Sequence, residues 1–354
     1  MAFVSTASTS QIPSGSISQI PLAKCWITGA AGFIGSYLAR FFIREGIFFP
    51  EEILLIDESK DFLKRPCLRG LPLAQMSFLE IKELEKLILK PTAKNLPQVV
   101  FHMGASSSTE EMRLDFLKTV NVESSQKIWK FCSQNSIKLV YASSAATYGN
   151  GEHGFSDRSE NFSKLQPLNP YGRSKLEFDI WVLNQVALKL APPQWTGLRF
   201  FNVYGPGEDH KGSQASVVFH ARRQILKNDS LNLFMSHKDT VPDGEQKRDF
   251  VFVGDIAKLC KFFIEDKNWQ SGIFNVGTGS AQTFLELGQS CFSALGKKPQ
   301  IQFIPTPEAL RKHYQYFTQA DLTRLKNLTG FTEPFLDLKE GVKRTFFEMA
   351  ALEF

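Results

Sequence analysis

Cysteine is scarce in the 354-residue chain. Cys25, Cys67, Cys132, Cys260 and Cys291 are odd in number, widely scattered and form no Cys-x-x-Cys pair. That spacing excludes a disulfide framework and a cysteine-held zinc site, and it points to a reducing compartment. No apolar run is long enough to span a bilayer, so an integral membrane protein is not expected. No dense Lys/Arg block is present, and the formal charge of +5 is small for this length, so no nucleic-acid partner is expected. Internal repeats are also absent. The opening "MAFVSTASTSQIPSGSISQI" contains no charged side chain, so it lacks the basic start of a secretory signal, and it has no continuous apolar stretch. Residues 1–22 read as a disordered extension.

From about Ala23 the chain alternates short apolar runs with amphipathic stretches. "AKCWIT", "EILLID", "QVVFH", "KLVYAS" and "TGLRFF" read as buried strands; "FIGSYLARFFIREG" and the stretches around 111–135 and 170–190 read as helices. This alternation predicts an α/β fold: a Rossmann-type, doubly wound parallel sheet with a smaller C-terminal substrate-binding lobe. Residues 23–204 are assigned to the dinucleotide-binding domain, with a returning segment near 248–280. Residues 205–247 and 281–354 are assigned mainly to the lobe.

"ITGAAGFIG" places Gly29, Gly32 and Gly35 between the first strand and the first helix. Glycines there let a diphosphate approach the N–H groups of the helix N-terminus. Asp57 ends the second strand and suits a ribose diol. Lys60, Lys64 and Arg65 follow, and a cation there suits a 2′-phosphate, so NAD and NADP both stay open at this point. "NPYGRSK" sets Tyr171 and Lys175 four apart on one helix face, and "YASSAATYG" offers Ser143 and Ser144. A nearby ammonium is expected to lower the phenol's pKa, so that it exchanges a proton with an alcohol near neutral pH. The complete trio speaks against a nonenzymatic dinucleotide-binding regulator. No metal site is expected.

The glycine spacing and the Ser, Tyr and Lys resemble the extended branch of the short-chain dehydrogenase/reductase superfamily, which acts mostly on nucleotide sugars. Sugar 4,6-dehydratases of that branch place an Asp-Glu pair where this chain has Ala145 and Ala146, which disfavours dehydration. "FHMGASSSTE", "GPGEDHKGSQASVVFH", "KRDFVFVGD", "SGIFNVGTG" and "HYQYFTQADLT" further resemble the ADP-heptose 6-epimerases. That resemblance implies epimerisation at C6 of an ADP-heptose by transient oxidation with bound NADP. It also implies a cytoplasmic homo-oligomer, a pentamer in that family, that supplies heptose for lipopolysaccharide. The alternative is another nucleotide-sugar epimerase or reductase of the branch.

The resemblance also implies site residues. Ser144, Tyr171 and Lys175 are the catalytic group. Gly29, Gly32, Phe33, Ile34, Gly35, Asp57, Glu58 and Lys64 hold the cofactor, together with Lys82. Met103, Gly104, Ala105, Ser106 and Ser107 line it after the fourth strand, joined by Asn121 and Val203. Substrate contacts are Ser144, Asn202, Lys211, Ser213 and His220, then Phe234, Met235, Ser236 and His237, with Arg248 and Tyr314. Epimerisation presents a ketone in two orientations to one nicotinamide, and one fixed phenol cannot easily serve both. Lys211 is therefore expected to act as a second catalytic acid/base.

Overall fold

The computed structural model describes residues 23–352 apart from 59, 93–95, 267 and 312–313. The extension expected over 1–22 lies outside the described residues. The strands are β1 (Cys25–Thr28), β2 (Ile53–Asp57), β3 (Ser77–Glu80), β4 (Val99–His102), β5 (Lys138–Ser144), β6 (Trp195–Phe200), β7 (Asn202–Tyr204), β8 (Leu231–Phe234), β9 (Lys247–Phe252), β10 (Gly272–Val276), β11 (Ala281–Thr283) and β12 (Ile301–Ile304). The helices are α1 (Phe33–Arg44), α2 (Ile81–Leu89), α3 (Leu114–Leu117), α4 (Ser124–Gln134), α5 (Pro170–Ala187), α6 (Val217–Asn228), α7 (Val253–Glu265), α8 (Phe284–Ala294), α9 (Glu308–Arg311), α10 (Thr323–Thr329) and α11 (Leu338–Leu352).

Seven strands form one sheet in the order β10-β6-β5-β4-β1-β2-β3, and every neighbouring pair is parallel. Every residue of β1, β2, β4, β6 and β10 is buried, as a sheet covered on both faces requires. α1 packs on α7, and α2 packs on α4. This is the Rossmann-type α/β fold that the alternation predicts. The five strands read from the sequence are β1, β2, β4, β5 and β6. β3 escapes that reading because it is an edge strand in which only Leu79 is buried.

The stretch near 248–280 divides between sheets. β9 leaves the large sheet and joins β7 and β11 in a three-stranded one, while β10 returns beside β6. β8 and β12 form a further parallel pair. Apolar periodicity identifies a buried strand but not the sheet that receives it.

The crevice of the fold opens between β1 and β4, where the strand order reverses direction. The chain turns sharply there. Gly29 has φ +64°, and a Cβ on it would lie 2.6 Å from Gly104 Cα, so no other residue fits without displacing the loop after β4. At Gly35 a Cβ would lie 2.2 Å from the Gly29 carbonyl oxygen.

Candidate active site

A cavity of about 770 Å³ occupies this crevice. Gly32 caps α1 with no side-chain bond, which leaves the first-turn N–H groups of the helix free for an anion. Gly29, Gly32, Phe33, Ile34 and Gly35 line the cavity. Asp57 and Glu58 line it from the end of β2, together with Lys82 of α2. Asp57 accepts the Ala31 N–H at 2.8 Å on one oxygen and the Glu58 N–H at 2.9 Å on the other, which fixes its carboxylate at the rim of the glycine loop. Each oxygen keeps a second lone pair for a ribose hydroxyl.

Lys64 is not at the cavity. Its side chain is 83% exposed and pairs with Asp61 at 2.8 Å. The adjacent Arg65 lines the cavity instead and donates to the Ala31 carbonyl. A short 3₁₀ helix over Lys60–Lys64 turns the neighbouring side chain outward, a rotation that a count of charges cannot reveal. His210 also lines the cavity; burial lowers its pKa, aided by Arg65 and Lys211.

Met103, Gly104, Ala105 and Ser107 line the cavity after β4. Ser106 and Asn121 do not. They bond to each other, with the Ser106 N–H donating to Asn121 Oδ1 at 2.8 Å and Asn121 Nδ2 donating back to the Ser106 carbonyl at 3.0 Å. Asn121 also reaches Ser174 of α5 at 2.9 Å, so it braces the loop from behind. It sits in a π-helical turn over Lys118–Glu123, where Thr119 and Val120 face the cavity. The extra residue of a π turn shifts the helix face, and 3.6-residue periodicity does not anticipate it.

Asn169 caps α5 by accepting the Gly172 N–H, and Pro170 sits at the start of the helix. That start aims Tyr171 and Lys175 into the cavity, which Ser144 lines from the end of β5. Burial raises the Tyr171 phenol above its ordinary value, and a hydrogen bond with Ser144 opposes the rise. This reverses the lowering expected from an ammonium: burial dominates, and the group that opposes it is Ser144 rather than Lys175. Burial lowers Lys175 to about 8, against the pull of Asp179, and its Nζ donates to the Ala142 carbonyl at 3.0 Å. Asp179 continues the same helix face. It accepts from Ser143 at 2.9 Å, Tyr141 at 3.1 Å and Arg199 at 2.9 Å, which ties α5 to β5 and β6.

Asn202, Val203, Lys211 and Gln214 line the cavity beyond β6. Ser213 is exposed, and His220 lies half-buried in α6 away from the lining. Phe234, Met235, Ser236, His237, Arg248 and Tyr314 do not line the cavity; His237 and Arg248 cluster against the Tyr314 ring off its wall. Arg248 is buried, stacks 5.4 Å from the Tyr314 ring and 5.7 Å from Phe284, and bonds the carbonyls of Lys247 and Gln315. Burial lowers its pKa to about 10. Phe284 lines the cavity and joins the two regions. Tyr316, unassigned from the sequence, anchors this cluster through the His237 N–H at 2.9 Å and the Ser236 hydroxyl at 3.2 Å. Its signal was its place in "HYQYFTQADLT". Among the described residues no cluster of three or more His, Cys, Asp or Glu could hold a metal.

A model of the NAD dependent epimerase/dehydratase family matches residues 25–277. The chain belongs to this family. Within the family it is 41% identical over 326 residues to an ADP-L-glycero-D-manno-heptose-6-epimerase of Fusobacterium nucleatum, covering 90% of this chain and 95% of that protein. The solved ADP-L-glycero-D-manno-heptose-6-epimerase of Helicobacter pylori is similar at TM-score 0.73 and 26% identity, over 94% of this chain and 97% of that one. A Thermus thermophilus UDP-glucose 4-epimerase in complex with NAD is similar at TM-score 0.70 and 25% identity, over 92% and 98%. As an epimerase of this family the chain is an enzyme that uses a nicotinamide dinucleotide. The residues fit that group: a glycine-rich loop at a helix N-terminus, a fixed carboxylate at the end of β2, and Tyr171 and Lys175 lining the same cavity.

Proposed function

We propose that the chain interconverts the C6 epimers of ADP-glycero-D-manno-heptose. The observation that supports this best is the joint placement of Ser144, Tyr171, Lys175 and Lys211 on one cavity in a chain so similar to an enzyme of that name. A dinucleotide held by the glycine loop and Asp57 supplies hydride acceptance and return. The protein's own part is proton handling. Tyr171 takes the hydroxyl proton of one epimer as its C–H bond is broken, and Ser144 shares the hydrogen bond to the same oxygen. Lys211 handles the proton of the other epimer from the turn after β7. Ala145 and Ala146 offer no acid or base, so water is not eliminated.

The cofactor is NADP in this reading, with Arg65 as the cation beside Asp57. Arg248, Tyr314 and the segment 234–237 form the outer substrate region beyond Phe284. The same reading makes the chain a cytoplasmic homo-oligomer, a pentamer by resemblance. Among the described residues no helix is long and apolar enough to cross a membrane.

Incubating the purified protein with one ADP-heptose epimer and following the other by NMR tests the proposal. Approach to the same equilibrium mixture from either epimer is the expected result. No interconversion of ADP-heptose, with turnover of a UDP-hexose instead, would replace it with the alternative epimerase reading.

A further inference from the structure

Glu208 is a carboxylate with no exposure to solvent. Burying an ionised carboxylate is costly unless each oxygen finds donors. Here both do. Oε1 accepts the Ser216 hydroxyl at 2.6 Å and the Gly205 N–H at 3.3 Å; Oε2 accepts the Ser216 N–H at 2.8 Å and Lys211 Nζ at 3.1 Å. Ser216 is also the N-cap of α6, where it accepts the Phe219 N–H at 3.2 Å. One side chain therefore closes the loop from β7 to α6 and holds the ammonium of that loop.

Lys211 needs such an anchor. A lysine has a flexible stem of four methylenes, and holding its nitrogen at one point costs rotamer entropy. Its neighbours on the turn do not restrain it: Gly212 has φ +54°, and Ser213 is exposed. Its Nζ lies 5.0 Å from the Phe33 ring, inside the cavity lining. The Glu208 carboxylate and this ring fix where the ammonium stands.

We propose that Glu208 is the positioning residue for Lys211: it holds Nζ at the place from which the second proton transfer is made. This rests on the acid/base reading of Lys211 given above. A competing role would be purely structural, with Glu208 stapling Gly205 to Ser216 and doing nothing through Lys211.

A double-mutant cycle on the full-length enzyme separates the two. Glu208→Gln keeps the size and an acceptor oxygen but removes the charge that holds the ammonium. Its kcat is expected to fall ~10-fold or more with KM little changed. In a Lys211→Met background, where kcat has already collapsed, Glu208→Gln is expected to add nothing, because both changes remove the same interaction. Ser216→Ala, which loosens the staple and leaves the ion pair, is expected to cost much less kcat than Glu208→Gln. Retained nucleotide and the thermal midpoint report folding. Should the Gln variant fail to fold, Glu208→Asp, which draws the charge back by one methylene, takes its place in the same cycle. Multiplicative effects in the double variant, or equal losses in Ser216→Ala and Glu208→Gln, would overturn the proposal while leaving the role of Lys211 intact. A Lys211→Met enzyme that keeps its kcat would remove the acid/base reading of Lys211 and this proposal with it.

Discussion

Tyr171 stands in a buried pocket that disfavours its phenolate, so it rests as a phenol with its hydrogen bond to Ser144. Tyr171→Phe removes the hydroxyl and little else. The variant is expected to fold and keep its dinucleotide, with kcat lower by about 10²–10⁴-fold; near wild-type turnover would take Tyr171 out of the mechanism. In the proposed reading, cofactor choice is set a few residues past Asp57. Arg65 faces the cavity, whereas Lys64 faces Asp61 and solvent. Arg65→Ala is expected to weaken NADP more than NAD in titrations of nucleotide-stripped protein, and Lys64→Ala to leave both unchanged. The reverse pattern would return the 2′-phosphate to Lys64.

Among the elements, α5 matters most. Its exposed face is unremarkable, but one stripe carries Tyr171, Lys175 and Asp179 at successive four-residue steps. The two upper residues face the cavity, and the third is locked under it by Arg199, Ser143 and Tyr141. Arg199 has no exposure and stacks 3.8 Å over the Phe162 ring. Removing its counter-charge would strand a buried guanidinium, and breaking such a pair typically costs about 3–5 kcal/mol. Urea denaturation of Asp179→Asn is expected to show a loss of that order. A loss within about 0.5 kcal/mol, the range usual for surface changes, would show that the pair does not hold the helix.

At the scale of the whole molecule, acid stability turns on a hydrogen-bond chain through the middle of the large sheet. The Gly104 N–H donates to Thr28 Oγ1 at 3.1 Å, and Thr28 lies 2.7 Å from His102 Nδ1. His102 Nε2 lies 2.9 Å from Ser125 Oγ, which donates to the Asn121 carbonyl at 2.7 Å. Ser125 spends its proton on Asn121, so Nε2–H donates to Ser125; burial keeps the ring neutral, which leaves Nδ1 to accept from Thr28. Burial, with Lys175 adding to it, lowers the His102 pKa from 6.5 to about 3. The folded state therefore binds fewer protons than the unfolded chain between those values. Stability is full above the unfolded pKa and falls as pH drops from 6.5 towards about 3, at up to about 1.4 kcal/mol per pH unit. His102→Asn is expected to flatten that part of the curve, measured as thermal midpoint against pH. Parallel curves for the two proteins would assign the acid loss to the carboxylates.

Local chemistry was enough to read the glycine turn, the five central strands and the Ser, Tyr and Lys candidates. Each is a short-range pattern: a backbone that needs glycine, an apolar run that must be buried, a four-residue step along a helix. Tertiary structure decided the rest, because it depended on partners far away in the chain. It placed β9 in the small sheet and β10 in the large one, turned Arg65 inward and Lys64 outward, and used Asn121 to brace a loop. It also set Arg248 and Tyr314 behind Phe284. A side chain's direction and its burial follow from what packs against it, and no run of neighbouring residues contains that information. Glu208 makes the point most plainly: in the sequence it is one acid in a polar loop, and in the fold it is buried with every oxygen engaged.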